Sequence, residues 1–504
     1  FTFTFYIFNK NTFTFSERIF GRRHVQCILC FFCLSLAYAW RVNLSVAIVA
    51  MAKSNDSETD SDSIFSVKVG LLSSSIYVKP ITKCSYALQK YEVNSVQQGY
   101  LFASFFWGYV ITQVPGGYIA QRYGAKMLLS VGITICAVLT ILTPMSVKFG
   151  GWIGMCVIRG LQGLAQGAVH PATHVLLSKW SPVSERGMLA TICYSGAQFG
   201  TIAMLATSGF IADTAMGWPG IFYVGGACGF VWVIFWRIFA SSTPEKDRRI
   251  SPGELKFIQE SRSVGKMQEA DHLAPTPWKH IFTSMPFLSL LVVHCTHMWG
   301  FWTLLMQIPN YIKSIYNIDI KSSALLSSLP YTVMLLLSFF FVFLSKVLAN
   351  QKSLSTAFNR KLFNTIGHWL PMCGLIVLGY VPDATWGIVV LTFTVGISAA
   401  TYLGFQVNHI DLSPNYAGTL MGITNGAANV MSGLAQIVVG SIVLNSNDIM
   451  QWRYVFFLAA GFYFIGNLLF LIFGRTEIQW WDSPLEDAET AEQGVPLSPA
   501  QMSK

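Results

Sequence analysis

Two arginines lie inside stretches of the sequence that are otherwise nearly free of charge, Arg41 within the apolar run 25–51 and Arg159 within the run 152–176. An arginine at the centre of a membrane-spanning helix costs about 2.5–3.5 kcal/mol, so it normally faces a cavity or a partner. A structural ion pair is one interpretation, but the apolar runs contain no Glu, and Asp213 and Asp411 lie at or beyond their ends. Arginine offers a planar donor fork that suits carboxylate or phosphate. The two residues therefore predict a binding site for an anion.

Polar residues that follow Arg159 in the same run are candidates for ion coupling: Gln162, Gln166, His170 and His174. The spacing of the two histidines would suit a metal on a helix, but no Glu lies between them and Pro171 interrupts the helix. We interpret them as a polar pair that faces the helix bundle, with a proton relay as the alternative. No metal ion or other cofactor is predicted.

A third polar stretch surrounds His297 in the run 284–308, where Trp302 and Gln307 also lie. Packing between helices and the wall of a substrate cavity are both open interpretations of this stretch. Tyr109, in the run 98–120, is a second candidate for the cavity wall.

Composition predicts the elements that position these residues. Hydrophobic residues make up 53% of the 504 residues and charged residues 11%, with a mean hydropathy of +0.49, whereas soluble proteins average about a quarter charged residues. The apolar runs have the length of membrane-spanning helices. They lie near 25–51, 98–120, 125–147, 152–176, 187–212, 218–240, 284–308, 324–348, 362–381, 385–407, 418–444 and 453–474. The sequence predicts an all-α polytopic membrane protein with twelve transmembrane helices.

Basic residues predict the orientation of these helices. They lie in short clusters between alternate apolar runs, as in cytoplasmic loops, and the net charge of +9 is not gathered into a face that would bind nucleic acid. Both termini are therefore predicted to be cytoplasmic. The predicted parts are an N-terminal segment 1–24, a first half 25–240 with a long non-cytoplasmic loop 52–97, a cytoplasmic linker 241–283, a second half 284–474 and a cytoplasmic tail 475–504. Asn55 in the long loop begins an N-x-S pattern and is a predicted glycosylation site.

Charged residues at the predicted cytoplasmic ends of the helices are candidates to gate or brace the pathway: Arg122, Lys126, Glu185, Arg186 and Asp411. The basic turn 117–126 after the second run has a weak counterpart at 345–352 after the eighth run. Two sets of six helices with corresponding turns indicate the duplicated architecture of major facilitator transporters.

Several longer motifs resemble one branch of that superfamily. They are RVNLSVA at 41–47, SFFWGYVITQVPGG at 104–117, RGLQGLAQG at 159–167, KWSPVSER at 179–186, RKLFN at 360–364 and NHIDLSPNYAG at 408–418. From about residue 22 to 475 the chain is similar to the anion:cation symporter family, which contains the sodium/phosphate cotransporters, sialin and the vesicular glutamate transporters. The pattern resembles most the insect members of this family that are named as inorganic phosphate cotransporters.

The resemblance implies that Arg41 and Arg159 hold the substrate anion. Sialin-like proteins carry glutamates for proton coupling in the fourth helix, where this chain has Gln162 and Gln166. Vesicular glutamate transporters carry an arginine in the seventh helix, where this chain has His297. These departures argue against the loading of vesicles with glutamate, and they weaken the case for proton symport.

We therefore predict a secondary active transporter of small anions, inorganic phosphate or organic, which works by alternating access and is coupled to sodium or protons. A sialin-like, proton-coupled exporter of acidic sugars or organic anions from lysosomes is the alternative. The bilayer would be the plasma membrane or a lysosomal or vesicular membrane. A membrane enzyme would need a catalytic histidine with a partner, and a channel would need a repeated filter or a ring of charges. The sequence has no pattern of either kind.

Overall fold

The structure is a computed structural model, and it describes residues 20–51, 93–182, 185–269, 276–349, 355–413 and 416–482. All regular secondary structure within these ranges is helical. Asn55 and most of the loop that contains it lie outside the described residues.

The first half of the bundle, called the N half, consists of helices α1 to α6. They are α1 Arg22–Met51, α2 Ser95–Tyr123, α3 Ala125–Gly167, α4 Val169–Trp180, α5 Arg186–Ala212 and α6 Gly217–Phe239. The linker that follows holds two shorter helices, α7 Pro252–Glu269 and α8 Trp278–Thr283.

The long helix α3 contains two spans, because the chain reverses at Gly151. This residue has φ +57°, a left-handed conformation that favours glycine. Ser146 and Gly154 would lie about 12 Å apart along a straight helix. A Cβ built on Gly154 instead lies 2.6 Å from the carbonyl oxygen of Ser146. The second of these spans continues into α4 after a break at Ala168, three residues before Pro171.

The second half, called the C half, consists of helices α9 to α15. They are α9 Met285–Tyr316, α10 Ile320–Ala349, α11 Thr356–Leu378, α12 Ala384–Ile397, α13 Phe405–Leu412, α14 Ala417–Ile442 and α15 Ile449–Phe473. One span is built from α12, a 3-10 segment Ser398–Leu403 and α13. The chain breaks between the last two at Gly404, where an added Cβ would lie 2.9 Å from the backbone nitrogen of Asn364 in α11.

Eight helical segments in the described part of the chain are long and apolar enough to cross a membrane. The segment Ala125–Trp180 is one of the eight, and its reversal at Gly151 makes it two spans. Helices α2, α11 and α14 are less apolar because they carry many Gly, Asn, Gln and Thr residues, and they complete the bundle between the apolar helices. The prediction of twelve spans in two halves is confirmed.

Two predicted spans differ from the observed helices by more than five residues at one end. Helix α9 continues to Tyr316, eight residues beyond the predicted end at 308, through a polar turn that carries Asn310 and Lys313. Helix α11 begins at Thr356 rather than 362, because the side chain of Ser355 accepts a hydrogen bond from the amide of Phe358. In both cases polar residues extend a helix past its apolar run.

The two ends of the bundle are distinguished by the chain segments that they carry. At the end called the terminal face, Arg22 Nη2 donates to the carbonyl of Phe239 (2.8 Å), and the amide of Gln479 donates to the carbonyl of Leu412 (2.9 Å). The opposite end, called the loop face, is where α1 ends at Met51 and α2 begins at Ser95. The terminal face is the one that the basic residues predict to be cytoplasmic.

Candidate functional site

The structure brings Arg41 of α1 and Arg159 of α3 together in the buried middle of the N half. Arg159 Nη1 donates to the carbonyl of Trp40 (2.7 Å) and to Gln162 Oε1 (3.3 Å), and its Nη2 donates to the carbonyl of Arg41 (3.0 Å). The fork of Arg159 thus holds the backbone of α1 at the residue that precedes Arg41 and at Arg41 itself. Arg159 has more protein partners than the sequence suggested, but they are neutral, and neither arginine forms an ion pair with a described residue.

The guanidinium of Arg41 lies among four aromatic rings. Its Cζ is 4.4 Å from the ring centre of Tyr109, 4.6 Å from that of Tyr38, 5.1 Å from that of Phe105 and 5.9 Å from that of Trp302, which belongs to the C half. Aromatic faces stabilise a cation without neutralising it. Tyr109, predicted as a cavity residue, is therefore in the shell around Arg41.

Several buried donors around Arg41 have no hydrogen-bond partner among the described residues. Arg41 Nε donates to Gln166 Oε1 (3.1 Å), which leaves Arg41 Nη2 and Gln166 Nε2 without partners. Arg159 Nε is also without one. A buried donor that makes no hydrogen bond costs about 1–3 kcal/mol, and more when it is charged. An anion beside Arg41 Nη2 would satisfy such donors and compensate the charge.

The two glutamines predicted for coupling have different neighbours. Gln162 accepts from Arg159 and donates to Thr140 Oγ1 (3.1 Å), so the oxygen and the nitrogen of its amide each have a partner inside the N half. Gln166 contacts Arg41 directly.

The two predicted coupling histidines lie on α4 beside Tyr194. The ring of His170 lies 5.9 Å from that of Tyr38 and 6.1 Å from that of Tyr194, and the exposed His174 lies 5.0 Å from the same tyrosine. His170 Nε2 and the Tyr194 hydroxyl make no hydrogen bond to a described residue. The ring of Tyr38 thus contacts both His170 and the guanidinium of Arg41.

The predicted gating residues lie at the terminal face, and two of them form ion pairs. Glu185 accepts from Arg23 Nε (2.6 Å), and Asp411 accepts from Arg360 Nε (2.7 Å). Arg22 and Arg23 also hold Asp247 and Glu254 of the linker, at 2.9 and 3.0 Å. The sequence reasoning missed these partners, although the two arginines precede the first apolar run.

The other predicted gating residues lie at helix ends on the same face. Arg122 is exposed and donates to the hydroxyl of Tyr118 (2.8 Å), while the carbonyl of Lys126 accepts from Trp236 Nε1 (3.0 Å). Arg186 begins α5.

His297 lies in the interior of the C half, within a cluster of histidines that the sequence reasoning did not find. Its ring is 5.2 Å from that of His368 in α11 and 5.3 Å from that of Phe405 in α13. His294, one turn before it, lies 5.9 Å from His409. The only local signal was the spacing of His294 and His297; the other two histidines come from distant helices.

The two halves meet at the loop face and diverge toward the terminal face. One stripe of α14 carries five glycines: Gly418, Gly422, Gly426, Gly433 and Gly440. A Cβ built on Gly440 would lie 2.5 Å from the carbonyl oxygen of Ser95 in α2, and one on Gly433 would lie 3.4 Å from Phe106 Cβ. A Cβ on each of the three glycines nearer the terminal face has no atom within 4 Å. The gap between α2 and α14 therefore opens toward the terminal face.

Further contacts join the halves between the middle of the bundle and the loop face. Lys313 Nζ donates to the carbonyl of Val49 (3.0 Å), and Gln198 Nε2 donates to the hydroxyl of Tyr402 (2.7 Å). Arg41 thus lies between a closed loop face and an open terminal face, as expected for one state of an alternating-access transporter.

Solved structures show the same fold. The bacterial homologue of Spinster in an inward-facing, unoccupied conformation matches with a TM-score of 0.64 at 14% identity, over 90% of this chain and 98% of that one. The D-xylose-proton symporter matches with a TM-score of 0.63 at 13% identity, over 89% and 97% of the two chains. The fold is that of a polytopic membrane transporter with two six-helix halves.

The chain belongs to the Major Facilitator Superfamily, whose family model matches residues 27–436. It is 37% identical over 499 residues to a Drosophila melanogaster protein named "Putative inorganic phosphate cotransporter", covering 97% of this chain and 92% of that protein. Human sialin is 36% identical over 91% and 90% of the two chains, and human vesicular glutamate transporter 2 is 32% identical over 93% and 76%. The predicted resemblance to the anion:cation symporter family is confirmed, and the protein is an integral membrane protein.

Proposed function

We propose that this protein carries a small anion across the membrane by alternating access, and that Arg41 holds the anion between the two halves. The observation that carries the proposal is the guanidinium of Arg41, which is buried, contacts no carboxylate among the described residues and keeps Nη2 free. The names of two relatives support the same class of substrate, because phosphate and glutamate are both anions.

Arg159 takes a different role in this proposal. Its two terminal nitrogens are occupied by the carbonyls of Trp40 and Arg41, so it positions the backbone that presents Arg41. It also adds a second positive charge close to the anion. A lysine at this position has no planar fork and would not reach both carbonyls in the same way.

The aromatic shell favours an organic anion over inorganic phosphate. Tyr38, Tyr109 and Trp302 offer apolar faces beside Arg41, and such faces are typical of pockets that bind the carbon skeleton of a ligand. The unpartnered donors around Arg41 would serve either kind of anion, whereas the ring faces would contact only an organic one. Phosphate and organic anions therefore belong side by side in the first experiment.

The experiment is uptake into liposomes that contain the purified full chain. Labelled phosphate, urate, sialate and glutamate are offered separately, under imposed sodium, proton and voltage gradients. We expect saturable uptake of at least one anion, with counterflow when the same unlabelled anion is trapped inside. Arg41→Ala should abolish it, whereas Arg237→Ala, an exposed arginine at the end of α6, should not. Uptake that neither saturates nor shows counterflow would contradict the proposal.

A further inference from the structure

His294, Thr424 and His409 form a hydrogen-bonded chain inside the C half. His294 Nδ1 lies 3.0 Å from Thr424 Oγ1, and His409 Nε2 lies 2.8 Å from the same oxygen. These residues come from three different helices, α9, α14 and α13, and all three are buried. The hydroxyl of Thr424 therefore joins two imidazoles that are remote in sequence.

The neighbours of His409 determine where its ring protons lie. Its Nδ1 is 3.1 Å from the carbonyl of Gln406, and a carbonyl only accepts, so Nδ1 carries a proton. In the neutral ring Nε2 is then an acceptor, and it takes its hydrogen bond from the hydroxyl of Thr424. That hydroxyl in turn accepts from His294 Nδ1.

The same contacts remain satisfied if His409 gains a proton. Thr424 Oγ1 also lies 3.3 Å from the carbonyl oxygen of Met421. When Nε2 of His409 becomes a donor, the hydroxyl can turn its own proton to Met421 and accept from both imidazoles, since a hydroxyl has two acceptor lone pairs. The site can therefore hold His409 with or without the extra proton and lose no hydrogen bond.

No charged side chain among the described residues contacts His409 and holds it in one protonation state. From α9 it faces His294, and from α14 it faces Thr424. On its own helix Asp411 is held by Arg360 of α11, and Asp482 after α15 bonds Ser413. Within the described residues His409 forms no ion pair.

Helix α14 connects this site with the gap between the halves. Gly422 and Gly426 face the gap, and Thr424, two residues from each, points about 200° away on the same helix. The gap and the histidine site are therefore on opposite sides of one helix. A movement of α14 relative to α9 and α13 would change the distance from Thr424 to both imidazoles.

We propose that the coupling cation of this transporter is a proton, and that it binds at Nε2 of His409 against Thr424. This rests on the proposed function, since a coupling ion has no meaning without anion transport. The step is a transfer of one proton from water on one side of the membrane to the imidazole, and from the imidazole to water on the other side. No carboxylate in the fourth span is needed, which agrees with the glutamines at 162 and 166.

The test uses liposomes that contain the full chain, with labelled sialate and labelled phosphate as probes. A gradient of about one pH unit stores about 1.36 kcal/mol per proton, enough to accumulate an anion up to about tenfold when one proton accompanies it. We expect this accumulation for at least one probe when the proton gradient points in the direction of uptake. Thr424→Val and His409→Asn should lower the accumulation ratio to about one, while counterflow without a gradient continues.

Two controls separate this role from a structural one. Thr424→Ser keeps the hydroxyl and should keep accumulation, and His280→Asn alters a histidine of α8 outside the cluster and should do the same. Counterflow in each variant demonstrates that the protein is folded and moves its substrate. If Thr424→Val still accumulates the probe in a pH gradient, the proposal is wrong. Accumulation by the unaltered protein in a sodium gradient alone would also overturn it, whereas an absence of counterflow in the unaltered protein would refute the proposed function itself.

Discussion

The contact between α2 and α14 at the loop face predicts that a single methyl group changes the balance between the two transport states. A Cβ on Gly440 would lie 2.5 Å from the carbonyl oxygen of Ser95, about 0.9 Å closer than the 3.4 Å at which ordinary van der Waals contact begins. The two helices would have to move apart. Overpacking of this kind typically costs about 1–3 kcal/mol.

The added methyl group raises the free energy only of the state that is closed at the loop face. In the opposite state the two helices are separated there. A penalty of about 1–3 kcal/mol changes the ratio of two states about 5- to 150-fold. Gly440→Ala should therefore favour the state that is open at the loop face. Gly422→Ala is the matched control: it lies on the same stripe of α14, and its Cβ has no atom within 4 Å in this state.

The assay is a distance measurement between spin labels at Thr214 and Asn445, which are exposed at the loop face in the N half and the C half. The labels are attached to introduced cysteines after the exposed Cys228 and Cys373, and Cys84 in the loop between α1 and α2, have been replaced. Gly440→Ala should increase the population with the longer distance, and Gly422→Ala should not. If Gly440→Ala leaves the distances unchanged, the assignment of the closed face is refuted.

Three further predictions concern other parts of the molecule. Gln166→Glu places a carboxylate beside Arg41 Nε, so uptake should be weak at neutral pH and recover as acid protonates the new group; a flat pH profile would show that residue 166 does not act at the anion site. Asp411→Ala removes the carboxylate that pairs with Arg360, and thermal unfolding in detergent should show a loss of about 1.5–3 kcal/mol of stability, which an unchanged unfolding temperature would contradict. Asn55 should carry a glycan that glycosidase treatment removes, and labelling of its loop only from the cytoplasm would reverse the predicted orientation.

Much of the fold could be predicted from the sequence because a membrane imposes a simple rule on each span. Every run of about 20 apolar residues has to be helical, so nine of the twelve spans follow from apolarity. The less apolar helices α2, α11 and α14 complete the two sets of six. The break at Gly404 could not be predicted in this way. It depends on the close approach of α11, and the sequence of the tenth span does not reveal that contact.

The charged residues of the candidate site could be predicted from the sequence, but their contacts could not. Arg41 and Arg159 are recognisable because an arginine in an apolar span is costly and normally faces a cavity or a partner. The hydrogen bonds from Arg159 to the carbonyls of α1 depend on how two helices pack. No local sequence pattern predicts a hydrogen bond to the backbone of a distant helix. The histidine cluster was missed for the same reason, since His294 and His409 are 115 residues apart in the chain.

The most direct test of the central claim is equilibrium binding of a labelled anion to the purified protein, with the anion that uptake identifies. A charge-assisted hydrogen bond contributes about 1.5–3 kcal/mol, so Arg41→Ala should weaken binding about ten- to a hundredfold. Arg41→Lys should restore only part of the affinity, because it returns the charge without the fork. Arg237→Ala should bind as the unaltered protein does. Unchanged affinity in Arg41→Ala would contradict the account, because the anion would then be held elsewhere.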